Sequence, residues 1–175
     1  MNIKIFWNSV DRLNFLLILI LGLLGVLLSF SVNQNYLFIN FKTIFFIFSI
    51  SIIMYLSQQS DKNIRRGALF GFLFLIILLF SLYFFEFQIK GSKRWLRMYG
   101  FSLQPSEIIK PFFIILTSWG IAQSIRGKQY FLTITFVSFV FLIALILMQP
   151  DLGMTILIAS TFFCQLFIAG LPMML

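Results

Sequence analysis

The 175-residue sequence contains no histidine and one cysteine, Cys164. Without histidine the chain lacks the commonest general base and the commonest metal ligand. A lone cysteine cannot close an internal disulfide, and Cys164 sits in an apolar run, where packing is the ordinary role of a thiol. Zinc chemistry and Ser-His or Cys-His catalysis are therefore excluded within these residues, and neither a metal nor a cofactor is expected. Charge is scarce as well: 10% of the residues are charged and only five are acidic. Hydrocarbon takes the place of all these groups. The chain is 61% hydrophobic, with 25 phenylalanines and a mean hydropathy of +1.03. Soluble domains are roughly 45–50% apolar and about 25% charged, and one of this size buries only about 70% of its surface. A soluble single domain is excluded, and so is disorder, which requires low hydrophobicity. Lipid must be the solvent.

A spanning helix needs about 20 mostly apolar residues. Six runs qualify, near 13–32, 38–56, 68–85, 108–124, 131–148 and 153–171. The first is too long, and too poorly ended, to be the core of a signal peptide. Short polar gaps separate the runs, leaving no room for a soluble domain. The expected fold is all-α, a polytopic integral membrane helical bundle of about six spans. Tyr36, Tyr55, Tyr83 and Tyr130 fall near span ends, where amphipathic rings prefer to sit. Gly67 and Gly71 form a small-xxx-small pair suited to a close helix contact.

The net charge of +8 would point to nucleic acid in a soluble protein. Here the cations occupy gaps between apolar runs, where they set topology and meet anionic headgroups. Membrane lipids, and not nucleic acid, are the expected contacts. Lys4, Arg12, Lys62, Arg65, Arg66, Arg126 and Lys128 all fall on one side of the ladder, which places the N-terminus in the cytoplasm by the positive-inside rule. Lys42, inside the second span, is expected to snorkel toward the interface.

One segment breaks the ladder. Residues 86–110 carry five basic residues (Lys90, Lys93, Arg94, Arg97 and Lys110) against Glu86 and Glu107, a net of +3 on the outer side. Cations interleaved with Trp95, Leu96 and Tyr99 make an external amphipathic basic segment leading into the fourth span. Two roles are open on charge alone: snorkelling anchors at the headgroups, or a cradle for an anionic headgroup gripped by the planar forks of Arg94 and Arg97.

Two motifs favour the cradle. Gln104-Pro105-Ser106-Glu107 starts the fourth span and Gln149-Pro150-Asp151 starts the sixth. Both spans run from outside to inside, so both N-termini open on the face that carries the basic segment. Proline suits a first helical turn, an acid there complements the helix dipole, and exposed backbone N–H groups favour an anion. Glu107 and Lys110, three residues apart, are neighbours on one helix face. Both charges are costly near lipid unless they pair or face a wet cavity, so they are expected to pair toward the bundle interior and line a substrate cleft.

Gly91-Ser92-Lys93-Arg94-Trp95, then Gln104-Pro105-Ser106-Glu107 with Lys110, then Gln149-Pro150-Asp151-Leu152-Gly153 resemble, in order and spacing, the motifs of the SEDS family (shape, elongation, division, sporulation). The resemblance spans the whole chain, and the wording around Arg94–Arg97 and 101–107 is more like the division-type branch than the elongation-type branch. It implies a peptidoglycan glycosyltransferase that polymerises lipid II into septal glycan strands and releases undecaprenyl diphosphate. The implied location is the bacterial inner (cytoplasmic) membrane, at the division septum. Implied partners are lipid II, a penicillin-binding protein transpeptidase and other divisome proteins. The substrate-binding residues it points to are Lys93, Arg94, Trp95, Arg97, Gln104, Ser106, Glu107, Lys110 and Asp151.

The family has ten spans against about six here, and the aspartate regarded as its catalytic base lies beyond residue 175. Asp151 belongs to a different motif, so no catalytic residue is assigned. The expectation is an incomplete member, inactive alone. Two other functions stay open at this point: a lipid II flippase, which would also use intramembrane cations, and a non-catalytic divisome scaffold.

Overall fold

The structure, a computed structural model, describes residues 7, 10–32, 36–84, 96–98 and 101–170. Six helices follow in chain order: α1 (Arg12–Val32), α2 (Tyr36–Leu56), α3 (Asp61–Phe84), α4 (Pro105–Ile125), α5 (Tyr130–Leu147) and α6 (Leu152–Ile168). Helix α1, and the stretches of α3 to α5 over 61–81, 105–125 and 130–147, are long and apolar enough to cross a membrane. Helix α6, at 17 residues, reaches the lower bound of about 17 for a span; α2 has 21. Hydropathy places all six helices within a few residues. The largest difference is α3, which begins at Asp61 and not near 68. The cationic turn through Arg66 is already helical, with Asp61 at the positive end of the helix dipole.

Between α3 and α4, strand β1 (Leu96–Met98) pairs antiparallel with β2 (Phe101–Leu103). The register sets Leu96 opposite Leu103, Arg97 opposite Ser102 and Met98 opposite Phe101. Part of the basic segment over 86–110 is thus a short two-stranded ladder.

The chain forms two compact units, 1–64 and 65–175. In the first, Asp11 caps α1: its carboxylate accepts from the Leu13 backbone N–H at 3.0 Å and from Asn14 Nδ2 at 2.9 Å. Helices α1 and α2 pack where Gly22 gives way to the Phe46 ring. A Cβ at Gly22 would lie 2.0 Å from that ring. Lys42 Nζ donates to Ser29 Oγ at 2.9 Å, and the buried Ser29 hydroxyl donates to the Gly25 carbonyl at 2.7 Å. The intramembrane lysine therefore has a polar neighbour within its own hairpin.

The second unit holds the main core, built from Phe72, Leu75 and Leu79 of α3, Ile109, Phe113 and Ile121 of α4, Phe139, Leu142 and Ile146 of α5, and Met154, Ile158 and Phe162 of α6. Phe139 and Phe162 stack at 4.3 Å with their planes 12° apart. Phe113 lies 6.2 Å from both Phe72 and Phe162. With no hydrophobic force between helices in lipid, such packing and interhelical hydrogen bonds must hold the bundle. Gly120 of α4 sits against Thr135 of α5, and Gly71 of α3 against the Phe112 ring. Of the glycine pair in α3, Gly71 makes the close approach, whereas Gly67 faces open space.

Candidate functional site

Helices α4 and α6 begin at the same end of the second unit, and their first residues are bonded directly. Gln104 is the N-cap of α4, with extended backbone (φ −105°, ψ 108°) and Pro105 next in line. Proline is pre-set for a first helical position and has no N–H to leave unmet there. Asp151 is the N-cap of α6; one carboxylate oxygen accepts from the Met154 backbone N–H at 3.2 Å. Its other oxygen accepts from Gln104 Nε2 at 3.1 Å. The two Gln-Pro motifs thus form one joined end of the helix pair, its mouth, across 47 residues of sequence. A carboxylate at this place stabilises the positive ends of two helix dipoles at once.

Next to the mouth, Lys110 donates to Glu107 in the i,i+3 ion pair. Glu107 is 53% exposed and Lys110 21% exposed, so the acid reaches the surface of these helices while the cation stays mostly covered. Pro111 follows inside α4 and has no N–H to give the Glu107 carbonyl, leaving a polar backbone group at this level. Ser106 is fully buried, and its hydroxyl has no hydrogen-bond partner among the described residues. A buried hydroxyl left unmet costs about 1–3 kcal/mol. Gln149, the start of the second motif, is buried as well.

Of the nine candidate substrate contacts, Gln104, Ser106, Glu107, Lys110 and Asp151 are described and cluster at this mouth. Lys93, Arg94 and Trp95 lie outside the described residues, as does the side chain of Arg97. The backbone of Arg97 is in β1, and β2 ends at Leu103, immediately before Gln104. Chain continuity therefore tethers the ladder directly to the mouth.

Two further polar arrangements escaped the sequence reading. Within the bundle, the Thr117 hydroxyl has two close acceptors, Gln165 Oε1 at 2.7 Å and the Phe113 carbonyl of its own helix at 2.8 Å, and Gln165 Nε2 donates to the Ile114 carbonyl at 3.1 Å. At the opposite end of α4, the Arg65 guanidinium lies 4.6 Å over the Trp119 ring, which also meets Phe131 edge-on at 4.7 Å. A glutamine isolated in an apolar run was the available signal for the first. The second had none beyond the presence of Arg65 and Trp119. Among the described residues, no cluster of His, Cys, Asp or Glu is suited to a metal.

The family described as "Cell cycle protein" (FtsW/RodA/SpoVE) matches residues 6–175. A probable peptidoglycan glycosyltransferase FtsW of Caulobacter vibrioides (strain NA1000 / CB15N) is 34% identical over 180 residues, covering 96% of this chain and 46% of its own length. The corresponding protein of Acinetobacter baylyi is 31% identical over 126 residues, covering 70% of this chain and 32% of itself. That of Wigglesworthia glossinidia brevipalpis is 26% identical over 182 residues, with 97% and 47% covered. The chain spans less than half the length of these relatives. No solved structure matches it. With a family match over nearly all of its length, the chain belongs to the FtsW/RodA/SpoVE cell cycle proteins.

Proposed function

We propose that this multi-pass membrane protein carries the substrate-side mouth of a peptidoglycan glycosyltransferase that polymerises lipid II during septal wall synthesis. The observation that carries the reading is the Gln104–Asp151 bond, which gathers two helix N-termini and the Glu107–Lys110 pair at one end of the helix pair. Such an end suits a lipid-borne diphosphate. The anion meets Lys110, the basic segment of Lys93, Arg94 and Arg97 leads to it and outweighs the Glu107 and Asp151 carboxylates that already serve the two helix starts, and the polyprenyl tail lies against apolar helix faces. The names of the relatives, probable peptidoglycan glycosyltransferases, agree with that substrate class.

In the reaction the bond from the donor sugar C1 to the diphosphate oxygen breaks, and undecaprenyl diphosphate leaves with the bonding pair. The acceptor sugar hydroxyl forms the new glycosidic bond and gives its proton to a base. The residues named here bind and orient, and their positive charge stabilises the charge that grows on the leaving diphosphate; no base is assigned to this chain. The mouth faces the periplasm, the N-terminus lies in the cytoplasm, and the complex works at the septum with a penicillin-binding protein transpeptidase and other divisome proteins.

The test is lipid II polymerisation by the purified full-length gene product. Lys110→Ala, and a triple Lys93, Arg94 and Arg97 to Gln variant, are each expected to cut glycan synthesis at least about tenfold, with membrane abundance unchanged. Unchanged turnover in both variants would refute the reading. Orientation is checked in a Cys164→Ser background, where Ser92→Cys should react with an impermeant thiol reagent in intact spheroplasts.

A further inference from the structure

Helices α4 and α6 run parallel, and polar side chains join them at two levels. The upper level is the mouth bond, Gln104 to Asp151. The lower level is Thr117 with Gln165, in which one amide holds two groups on α4: its oxygen accepts from the Thr117 hydroxyl and its nitrogen donates to the Ile114 carbonyl. This orientation of the amide is the one in which both contacts join a donor to an acceptor. Turning it over would set its oxygen against the carbonyl oxygen of Ile114.

The two α4 groups lie side by side, the Thr117 hydroxyl oxygen 3.2 Å from the Ile114 carbonyl oxygen, so the amide meets one polar spot on α4 with two bonds. Gln165 therefore resists sliding of α6 along α4. Thr117 is 1% exposed; without Gln165 its hydroxyl still has the Phe113 carbonyl of its own helix at 2.8 Å, so what Gln165 adds is the link between the helices. The distances along the two helices also agree. From mouth to lower level there are 13 residues on α4 and 14 on α6, each about 20 Å at 1.5 Å per residue. The helices stay in step between the two bonds, so a slip at one level appears at the other.

We propose that Thr117 and Gln165 form a register lock that positions the mouth: they are positioning residues that act through α4 and α6 on Gln104 and Asp151, well removed from the mouth itself. The consequence for catalysis rests on the functional reading above, whereas the lock does not. Polar interhelical bonds in membranes are worth enough to shift a two-state equilibrium about threefold on average and up to about twentyfold. Losing the lock should therefore populate slipped states measurably while leaving the helices inserted.

The experiment uses the full-length protein in native membranes, with Cys164→Ser and reporter cysteines at Gln104→Cys and Asp151→Cys. The reporter removes the mouth bond, so the lower pair is the remaining polar link described between the two helices, beside their apolar packing. Bridging by dibromobimane, fluorescent when both thiols are captured, reports their proximity. Thr117→Val and Gln165→Leu should each lower the initial bridging rate, by at most the roughly three- to twentyfold shift of the equilibrium, the double variant should lower it no further, and Thr117→Ser should restore it. Bridging that stays at the parental level in Thr117→Val overturns the lock, even if thermal stability falls, because the pair is then only glue. The same substitutions are scored for polymerisation with the native mouth. A slipped mouth with normal polymerisation supports the lock and counts against the substrate-cleft reading. Normal bridging with lost polymerisation counts against the lock alone.

Discussion

Exchanging the polarity of the mouth bond tests the site more sharply than deleting it. Asp151 does two jobs, capping α6 through Met154 and accepting from Gln104 at 3.1 Å. Asp151→Ala removes both. A lost cap costs about 0.5–2 kcal/mol and a charge-assisted bond about 1.5–3 kcal/mol, so the sum, about 2–5 kcal/mol, is a large part of a typical total stability of 5–15 kcal/mol. Asp151→Asn should be far milder. Asparagine caps as well as aspartate, and the Gln104 amide can turn to meet the new group, leaving a loss of about 1 kcal/mol for the exchange of a charged bond for a neutral one.

Gln104→Glu is the opposite case. It sets two carboxylates at the separation of the present bond, where Coulomb repulsion at an effective dielectric of about 20 is roughly 5 kcal/mol before water at this partly exposed mouth screens it. The double variant Gln104→Glu with Asp151→Asn restores an acceptor and a donor with their roles reversed, and the asparagine oxygen remains for the cap. The measurements are thermal midpoint in detergent, membrane abundance and lipid II polymerisation. The expected order of stability is parent, Asp151→Asn, the double variant, Asp151→Ala, Gln104→Glu. If Gln104→Glu is harmless, or the double variant is no better than Gln104→Glu, the bond between the two helix starts is not what holds the mouth.

Two packing predictions follow from the same unit. Gly120→Ala would set a methyl 2.1 Å from Thr135 Oγ, and overpacking of about 1–3 kcal/mol should outweigh the roughly 1 kcal/mol that alanine gains in a helix; adding Thr135→Ala leaves position 135's Cβ at 3.4 Å and should recover the thermal midpoint. Arg65→Ala and Trp119→Leu should show coupling of about 0.5–1 kcal/mol in a double-mutant cycle, the size of an exposed cation–π contact. Additive losses would mean that the guanidinium only snorkels past the ring.

How much of this was readable in advance depends on the length scale at which each feature is encoded. The six helices are written in runs of nearly 20 apolar residues, and no tertiary context can move such a run out of lipid. Their ends are written in fewer residues and were read less well. The Asp61–Arg66 turn is charged, so hydropathy passes over it, although its backbone hydrogen bonds continue α3. The Gln-Pro-acid starts were visible as punctuation because proline and an acid have local reasons to stand there. Their union was not, since nothing local in Gln104 or Asp151 encodes the partner 47 residues away.

Thr117 and Gln165 show why the interior was the least readable part. A window of twenty residues averages a single glutamine into its apolar surroundings, so a profile that finds the helix hides the residue that fixes the helix's register. In water that omission would matter little, because apolar burial sets most of a core and polar pairs refine it. In lipid the weighting is reversed. Phe113, Phe139 and Phe162 gain packing from one another, yet their apolarity does not distinguish one helix neighbour from a lipid tail. The few polar atoms do distinguish them, because a bond such as that of Gln165 to α4 is met at one axial level. The residues that deserve weight in such a chain are therefore its exceptions: Gln165 in α6, Thr117 in α4, Lys42 in α2 against Ser29, and Asp151 at the mouth. Each of these four was found bonded across to another helix or helix start, and each bond fixes a register that the hydrocarbon around it leaves open.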